Sequence, residues 1–215
     1  MKKHIFTLIA ILSIFTACKK DNDNNNNPGG NAGEYQPLTA GSAWTYETEY
    51  YGLENSVDKE TSVNTVTGIT KTFDGKKYYE LKVVSEGDEQ KEYIGINNHV
   101  YTTRSVDGED VVEIPYFDDT KAKGESFITV LSTGDVDSRI KTTIADKGIS
   151  KVVAGKTYNN VVHSVSEVQF KNGANYTTTA TTDFYIAKGV GIIAIYSKTP
   201  TKDLLKSELK SYVIK

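Results

Sequence analysis

The sequence predicts an all-β protein: a single antiparallel, strongly curved sheet, half-barrel or barrel-like, of roughly ten to twelve strands with little helix. Three observations carry that reading. Beyond residue 34, apolar and polar residues alternate with period two, the spacing of a strand with one buried face. Two-residue pairs of hairpin type punctuate the alternating runs. The composition favours a pleated surface, with Tyr present 14 times in a chain also rich in Thr and Val.

Taken in chain order, the elements follow from local pattern. Trp44 and Tyr46 share strand parity, so both are expected in the core. In YYELKVV, Tyr79, Leu81 and Val83 lie on one face of a strand. FITVL, Phe127 to Leu131, is apolar on both faces apart from Thr129, which predicts a central strand. In RIKTTI, Ile140, Thr142 and Ile144 alternate with Arg139, Lys141 and Thr143. The last segment, LLKSELKSYVI, fits two periods. Leu205, Leu209 and Tyr212 would line a helix, whereas Leu205, Leu209 and Val213 share strand parity. The strand is preferred. Asp74-Gly75, Asp107-Gly108 and Asn172-Gly173 suit type I′ turns because both residues tolerate positive φ, and Asn97-Asn98 is a weaker pair of that kind. Short antiparallel connections throughout imply one up-and-down sheet.

Bulk properties bound the function. The chain has 215 residues, a formal net charge of −3 and 38% hydrophobic residues, enough to bury a core as one domain. No basic excess marks a phosphate-binding face, which argues against nucleic acid as a partner. A single cysteine, Cys18, allows no intrachain disulfide and no all-cysteine metal site.

That cysteine sits in FTACKKDNDNNNNPGG, at the end of a targeting segment. Lys2 and Lys3 precede an apolar run from Ile5 to Phe15, then small residues. Residues 1–17 therefore read as a secretory signal peptide, too short for a lasting bilayer span. IFTAC, Ile14 to Cys18, resembles the bacterial lipobox, with Phe15 where Leu is usual. The resemblance implies a lipoprotein whose Cys18 thiol takes a diacylglyceryl group and whose freed amine is then acylated, palmitate being a typical chain. Several acyl chains, at about 0.8 kcal/mol per buried CH₂, anchor lastingly where one would not. KKDND, Lys19 to Asp23, resembles the tags that follow the cysteine in surface-exposed Bacteroidota lipoproteins. Lys19 differs from the aspartate of inner-membrane retention. Together these imply the outer membrane. Residues 18–33 carry almost no apolar side chain and read as a tether, with an r.m.s. reach of roughly 20–23 Å. Residues 34–215 form the single β-rich domain. Loss of the signal removes Lys2 and Lys3 and takes the net charge from −3 to −5.

A second resemblance spans most of that domain. GSAWTYET (Gly41 to Thr48), GKTYNNVVHSV (Gly155 to Val165) and FYIAKGVGIIAI (Phe184 to Ile195) occur in that order. Together they look like a set of uncharacterised bacterial lipoproteins akin to TapB-like domains. The resemblance implies a half-barrel or barrel-like fold, distantly similar to the lipoprotein carriers LolA and LppX, and brings no catalytic residues. The long helices of those carriers have no counterpart here.

Chemistry-bearing motifs are sparse. Asp21, Asp23 and Asn25 imitate the start of an EF-hand loop, but Asn26 and Ala32 stand where the glycine and glutamate are needed. Gly189-Val190-Gly191-Ile192-Ile193-Ala194 matches GxGxxA, yet IIAIY continues as a strand, so the glycines are read as a turn or bulge and no cofactor is expected. His99 and His163 remain after signal removal, and His163 and Ser164 should face opposite ways. Acidic residues gather near turns as Asp107, Glu109 and Asp110, as Asp118 and Asp119, and as Asp135 and Asp137. Solvated charge explains them, with a surface Ca²⁺ site the competing reading. Among the aromatics, Tyr50, Tyr51, Tyr78, Tyr101 and Tyr116 are candidate ligand contacts, because exposed rings stack on sugars or anchor protein partners.

The expected function is a non-enzymatic, lipid-anchored envelope lipoprotein that binds a glycan, a peptide, a hydrophobic molecule or an envelope protein at the outer membrane. A periplasmic carrier shielding an apolar ligand is the alternative, and a carboxylate-based hydrolase is a third reading. An apolar concave pocket favours the carrier, an exposed aromatic strip favours glycan or protein binding, and paired carboxyls in a cleft favour the hydrolase.

Overall fold

Alternating sequence gives antiparallel strands throughout. The computed structural model describes residues 35–52, 56–107, 110–133 and 136–215. Residues 1–34, which hold the expected signal segment, Cys18 and the expected tether, lie outside the described residues. Twelve strands follow one another: β1 (Ala43–Tyr51), β2 (Val57–Phe73), β3 (Lys76–Ser85), β4 (Asp88–Asn97), β5 (Val100–Asp107), β6 (Asp110–Asp118), β7 (Ser126–Thr133), β8 (Val136–Val153), β9 (Lys156–Asn172), β10 (Asn175–Ala187), β11 (Gly191–Lys198) and β12 (Asp203–Val213). No helix occurs among the described residues.

All twelve join one antiparallel, nearly closed barrel-shaped sheet in the order β6-β5-β4-β3-β2-β1-β12-β11-β10-β9-β8-β7. Chain neighbours pair everywhere except at β6 and β7, where the sheet has its two edges. The first and last strands pair instead, from Ala43↔Val213 to Tyr50↔Leu205. The gap is bridged by side chains. Thr142 Oγ1 on β8 donates to the Pro115 carbonyl on β6 at 3.0 Å, and Ser164 Oγ on β9 donates to the Tyr116 carbonyl. Pro115 fits there because an edge strand can forgo an N–H.

Trp44 and Tyr46 face the core at 2% and 6% exposure, as their parity predicts. Each carries a polar atom that must be satisfied once buried. Trp44 Nε1 donates to the Val190 carbonyl and the Tyr46 hydroxyl to the Ile192 carbonyl, both at 2.5 Å. The final segment is a strand, β12, but its parity is not continuous. A bulge sets Thr45 opposite Ser211 and Tyr46 opposite Leu209, so Lys210 is the extra residue. Beyond it Tyr212 turns toward the core while Val213 is exposed.

The turns refine the expected pairs. Asp74-Gly75 forms its loop with both residues at positive φ. Between β4 and β5 the loop is Asn98-His99, one residue later than expected, again with both φ positive. Between β9 and β10 it is Gly173-Ala174, where only the glycine has positive φ. β5 and β6 pair as far as Asp107↔Asp110, and the residues between lie outside the described set. FITVL requires a correction. It lies in β7, an edge and not a central strand, with Ile128 and Val130 exposed. Apolar residues on both faces do not distinguish burial between two layers from an apolar strand at a margin.

Candidate functional site

The barrel interior is packed around a small cavity of about 30 Å³ lined by Gln36, Trp44, Asn64, Glu92, Thr103 and Ile192, among others. Its polar side is under-satisfied. Glu92 Oε1, Asn64 Oδ1 and Thr103 Oγ1 are buried without a hydrogen-bond partner among the described residues. Burial pushes the Glu92 carboxyl well above the usual carboxylate range, which favours its protonated form. Gln36 belongs to the segment that precedes β1. Its neighbour Tyr35 packs edge-on against Phe117 at 4.7 Å and Tyr101 at 6.5 Å. The space takes about one or two waters, well short of a small-molecule pocket of roughly 300–1,000 Å³.

A larger, open concavity of about 480 Å³ lies on the outer face, lined by Tyr51, Asp183, Tyr185, Tyr196, Ser197, Lys198, Asp203, Leu205 and Lys206. Strand register assembles it. Asp183 on β10 lies opposite Tyr196 on β11, Tyr196 opposite Lys206 on β12, and Lys206 opposite Glu49 on β1. One register step away, Tyr185 lies beside His163 of β9.

Each ring is held by a polar partner. The Tyr185 and His163 rings stack at 4.4 Å and 9°, and Lys151 Nζ sits 4.0 Å from the Tyr185 centroid. His163 Nε2 and Asp183 Oδ1 hydrogen-bond at 2.6 Å. Tyr196 donates to Glu208 at 2.9 Å, and its ring centroid is 5.7 Å from that of Tyr185. Tyr51 donates to Glu49 at 2.9 Å, and Lys59 donates to the other oxygen of that carboxylate at 2.6 Å. The hydrogen bond from Lys59 holds the Glu49 carboxyl below its usual range, with Tyr51 adding to it. Burial and then the Glu208 carboxylate raise the Tyr196 hydroxyl, and burial and then Asp183 raise that of Tyr185. The hydrogen bond to Glu49 raises the Tyr51 hydroxyl in the same direction, so all three phenols stay protonated near pH 7. The concavity offers aromatic surface, phenol oxygens that can accept, fixed carboxylates and lysines.

The structure separates the five candidate aromatics. Tyr51 lines this groove, and Tyr50 is half-buried against the core. Tyr78, Tyr101 and Tyr116 are 0–2% exposed and present no ring face to solvent. Tyr78 is covered by Phe73, a diagonal neighbour in the β2–β3 hairpin, and by Arg104. Tyr101 and Tyr116 pack against Phe117 and Phe184 in the core. Tyr185 and Tyr196 escaped sequence reasoning, although their parity was available: Phe184, Ile186 and Ile195 are core residues, so the tyrosines beside them point outward.

The remaining motifs fall into place. His163 and Ser164 face opposite ways, the serine being fully buried. His99 is exposed and bonds Asp119 at 2.8 Å. Asp118 caps its own turn through Thr120. Gly189 and Gly191 form the turn between β10 and β11, both at positive φ, and β11 continues as a strand. Among the described residues no three His, Cys, Asp or Glu gather as metal ligands. Asp137 bonds Lys171, while Glu109 and Asp135 lie outside the described residues.

No protein-family model matches the sequence, and no curated protein matches it. The TapB-like resemblance therefore has no family match behind it. Among solved structures, similar chains include a protein provisionally described as exported, with a YmcC-like fold, from Bacteroides fragilis. It is 9% identical, with a TM-score of 0.49, covering 82% of this chain and 97% of the other. A second, provisionally described as a lipoprotein, comes from Parabacteroides distasonis. It is 13% identical, with a TM-score of 0.47, covering 83% and 98% of the two chains.

Proposed function

We propose that this chain is a non-enzymatic lipoprotein, anchored through Cys18 to the outer membrane, whose β domain binds a saccharide in the outer groove. The address rests on the sequence: a signal segment, a lipobox-like IFTAC and a polar tether. The binding role rests on one observation, the open concavity of Tyr51, Tyr185 and Tyr196 with Asp183, Asp203, Lys198 and Lys206 at its walls. Sugars present apolar C–H faces and a ring of hydroxyls. Phenol rings stack on the first, and carboxylates and ammonium groups bond the second. The carrier reading needs an interior roughly ten times larger than the packed one.

The test has two arms. The full chain is expressed in its host, intact cells are treated with protease, and Cys18→Ala serves as the control. Loss of the domain from intact cells supports display at the surface. Survival until the outer membrane is opened places the domain in the periplasm. The extracted protein is then titrated with a panel of host and bacterial polysaccharides. Binding weakened tenfold or more by Asp183→Ala and by Tyr51→Ala supports the groove. Binding indifferent to both substitutions, or no binding across the panel, refutes it.

A further inference from the structure

β7 reads SFITVLST and carries no charged residue. It pairs with β8 without a bulge, from Ser126↔Thr143 to Thr133↔Val136. Among the described residues no strand pairs with its other edge. Ile128 and Val130 are 53% and 72% exposed. Soluble proteins ordinarily blunt such an edge with charge, proline or a bulge. The opposite edge, β6, has Pro115, a bulge against β5 at Tyr101/Thr102, and carbonyls engaged by Thr142 and Ser164. β7 has no charge, proline or bulge; of its carbonyls, that of Leu131 accepts from Ser138 Oγ of the paired strand β8 at 3.3 Å.

The strand is also self-complementary. Outward from Thr129 in either direction come Ile128 and Val130, then Phe127 and Leu131, then Ser126 and Ser132. A two-fold axis at Thr129 would set β7 antiparallel to its own copy, with each residue from Ser126 to Ser132 facing one of similar character. The faces agree too. Phe127, Thr129 and Leu131 lie opposite Thr142, Ile140 and Ser138, which are buried on the inner face. Ile128 and Val130 lie opposite Lys141 and Arg139 on the outer face. The pairing would cover the outward Ile and Val with Val and Ile.

We propose that β7 is an isologous docking strand and that its occupant is β7 of a second copy of this chain. A peptide of another protein would place no demand on β7 to read alike in both directions, whereas a two-fold partner does. Neighbouring charge does not oppose the pairing. Three strand spacings separate β8 from its counterpart, about 14 Å, which exceeds the Debye length of about 8 Å at physiological salt. Arg139 and Lys141 are already directed across β8 toward β9 and β10. Arg139 bonds Gln169 at 2.8 Å and covers the Tyr176 ring, and Lys141 faces Glu167. The inference does not depend on the groove or on what fills it.

Cysteine scanning tests both contact and register. Full-length protein carrying Thr129→Cys is expressed in the host, membranes are oxidised, and the product is run without reductant beside the parent chain. Antiparallel partners lie about 4.5–5.5 Å apart at Cα, within disulfide reach. The expected result is a band of twice the chain mass for Thr129→Cys, at least tenfold stronger than for Ile128→Cys or Val130→Cys alone. Chains with Ile128→Cys mixed with chains with Val130→Cys should regain it. Adding Val130→Lys should abolish the Thr129→Cys dimer and convert the detergent-extracted protein from dimer to monomer by light scattering. Val130 is exposed in the single chain, so the variant should keep the parent's fold, read as an unchanged far-UV circular dichroism spectrum. A monomeric parent chain, equal cross-linking at all three positions, or cross-linking to a different protein would overturn the proposal.

Discussion

Glu92 offers the sharpest test of the interior. It faces Leu81 of β3 and Ser105 of β5, is 6% exposed, and its Oε1 has no partner. Burial raises its carboxyl well above the ordinary value. The folded protein therefore holds a proton that the unfolded chain releases above about pH 4.3. Stability changes with pH in proportion to the protons bound by the unfolded state minus those bound by the folded state, and here that difference is negative. The Glu92 contribution falls as pH rises from the unfolded value toward the raised folded one, by up to about 1.4 kcal/mol per unit. Glu92→Gln keeps the shape and removes the titration. Between pH 5 and 7 the variant should gain steadily on the parent in urea unfolding as pH rises. The comparison cancels groups of opposite sign. Glu49 and Asp146, whose carboxyls are held down first by hydrogen bonds from Lys59 and Lys123, are present in both proteins. A difference between Glu92→Gln and parent that stays constant over that range would refute a neutral, desolvated Glu92.

Three further outcomes follow from the core and its turns. Trp44→Phe removes the donor to the Val190 carbonyl and should cost about 1–3 kcal/mol in urea unfolding. Ser164→Ala frees the Tyr116 carbonyl at the β6 edge. It should cost about 1–2 kcal/mol and speed hydrogen exchange in β6 while β1 to β3 stay protected. Ala154 occupies a left-handed turn position at φ 48, beside Gly155, where alanine is strained. Ala154→Asn should raise stability by about 0.5–1 kcal/mol, read as a higher urea midpoint.

Fold class was legible because a curved antiparallel sheet writes a period-two pattern and short turns into the chain. Trp44 and Tyr46 in the core, β12 as a strand, and the glycines of Gly189 to Gly191 in a turn all followed from parity and backbone freedom. The groove was less legible. Asp183, Tyr196, Lys206 and Glu49 come from four strands and meet only through register, which one sequence does not state. Tyr78, Tyr101 and Tyr116 failed as exposed rings for a related reason. Period two assigns a side chain to a face, but not what lies over that face. Tyr78 is covered by Phe73, a diagonal neighbour in its own hairpin. The polar cavity around Glu92 left no sequence signal, because Glu92 follows four exposed residues in β4 and reads as their continuation.

The misplacement of FITVL is the most informative of these. An uncharged strand with apolar residues on both faces has two stable settings: between covered faces within a sheet, or at an edge that another chain completes. The fold removes the first, since β7 ends the sheet and exposes Ile128 and Val130. A strand left bare would be a site of uncontrolled aggregation. A symmetric pair limits that hazard, because two copies joined about Thr129 bury each other's free edge and leave no third β7 edge to propagate. Among the described residues, the sheet edges left in such a pair are the two copies of β6, each carrying Pro115 and hydroxyl-capped carbonyls. The chemistry that makes β7 resemble an interior strand is the chemistry an interior strand of a dimer requires.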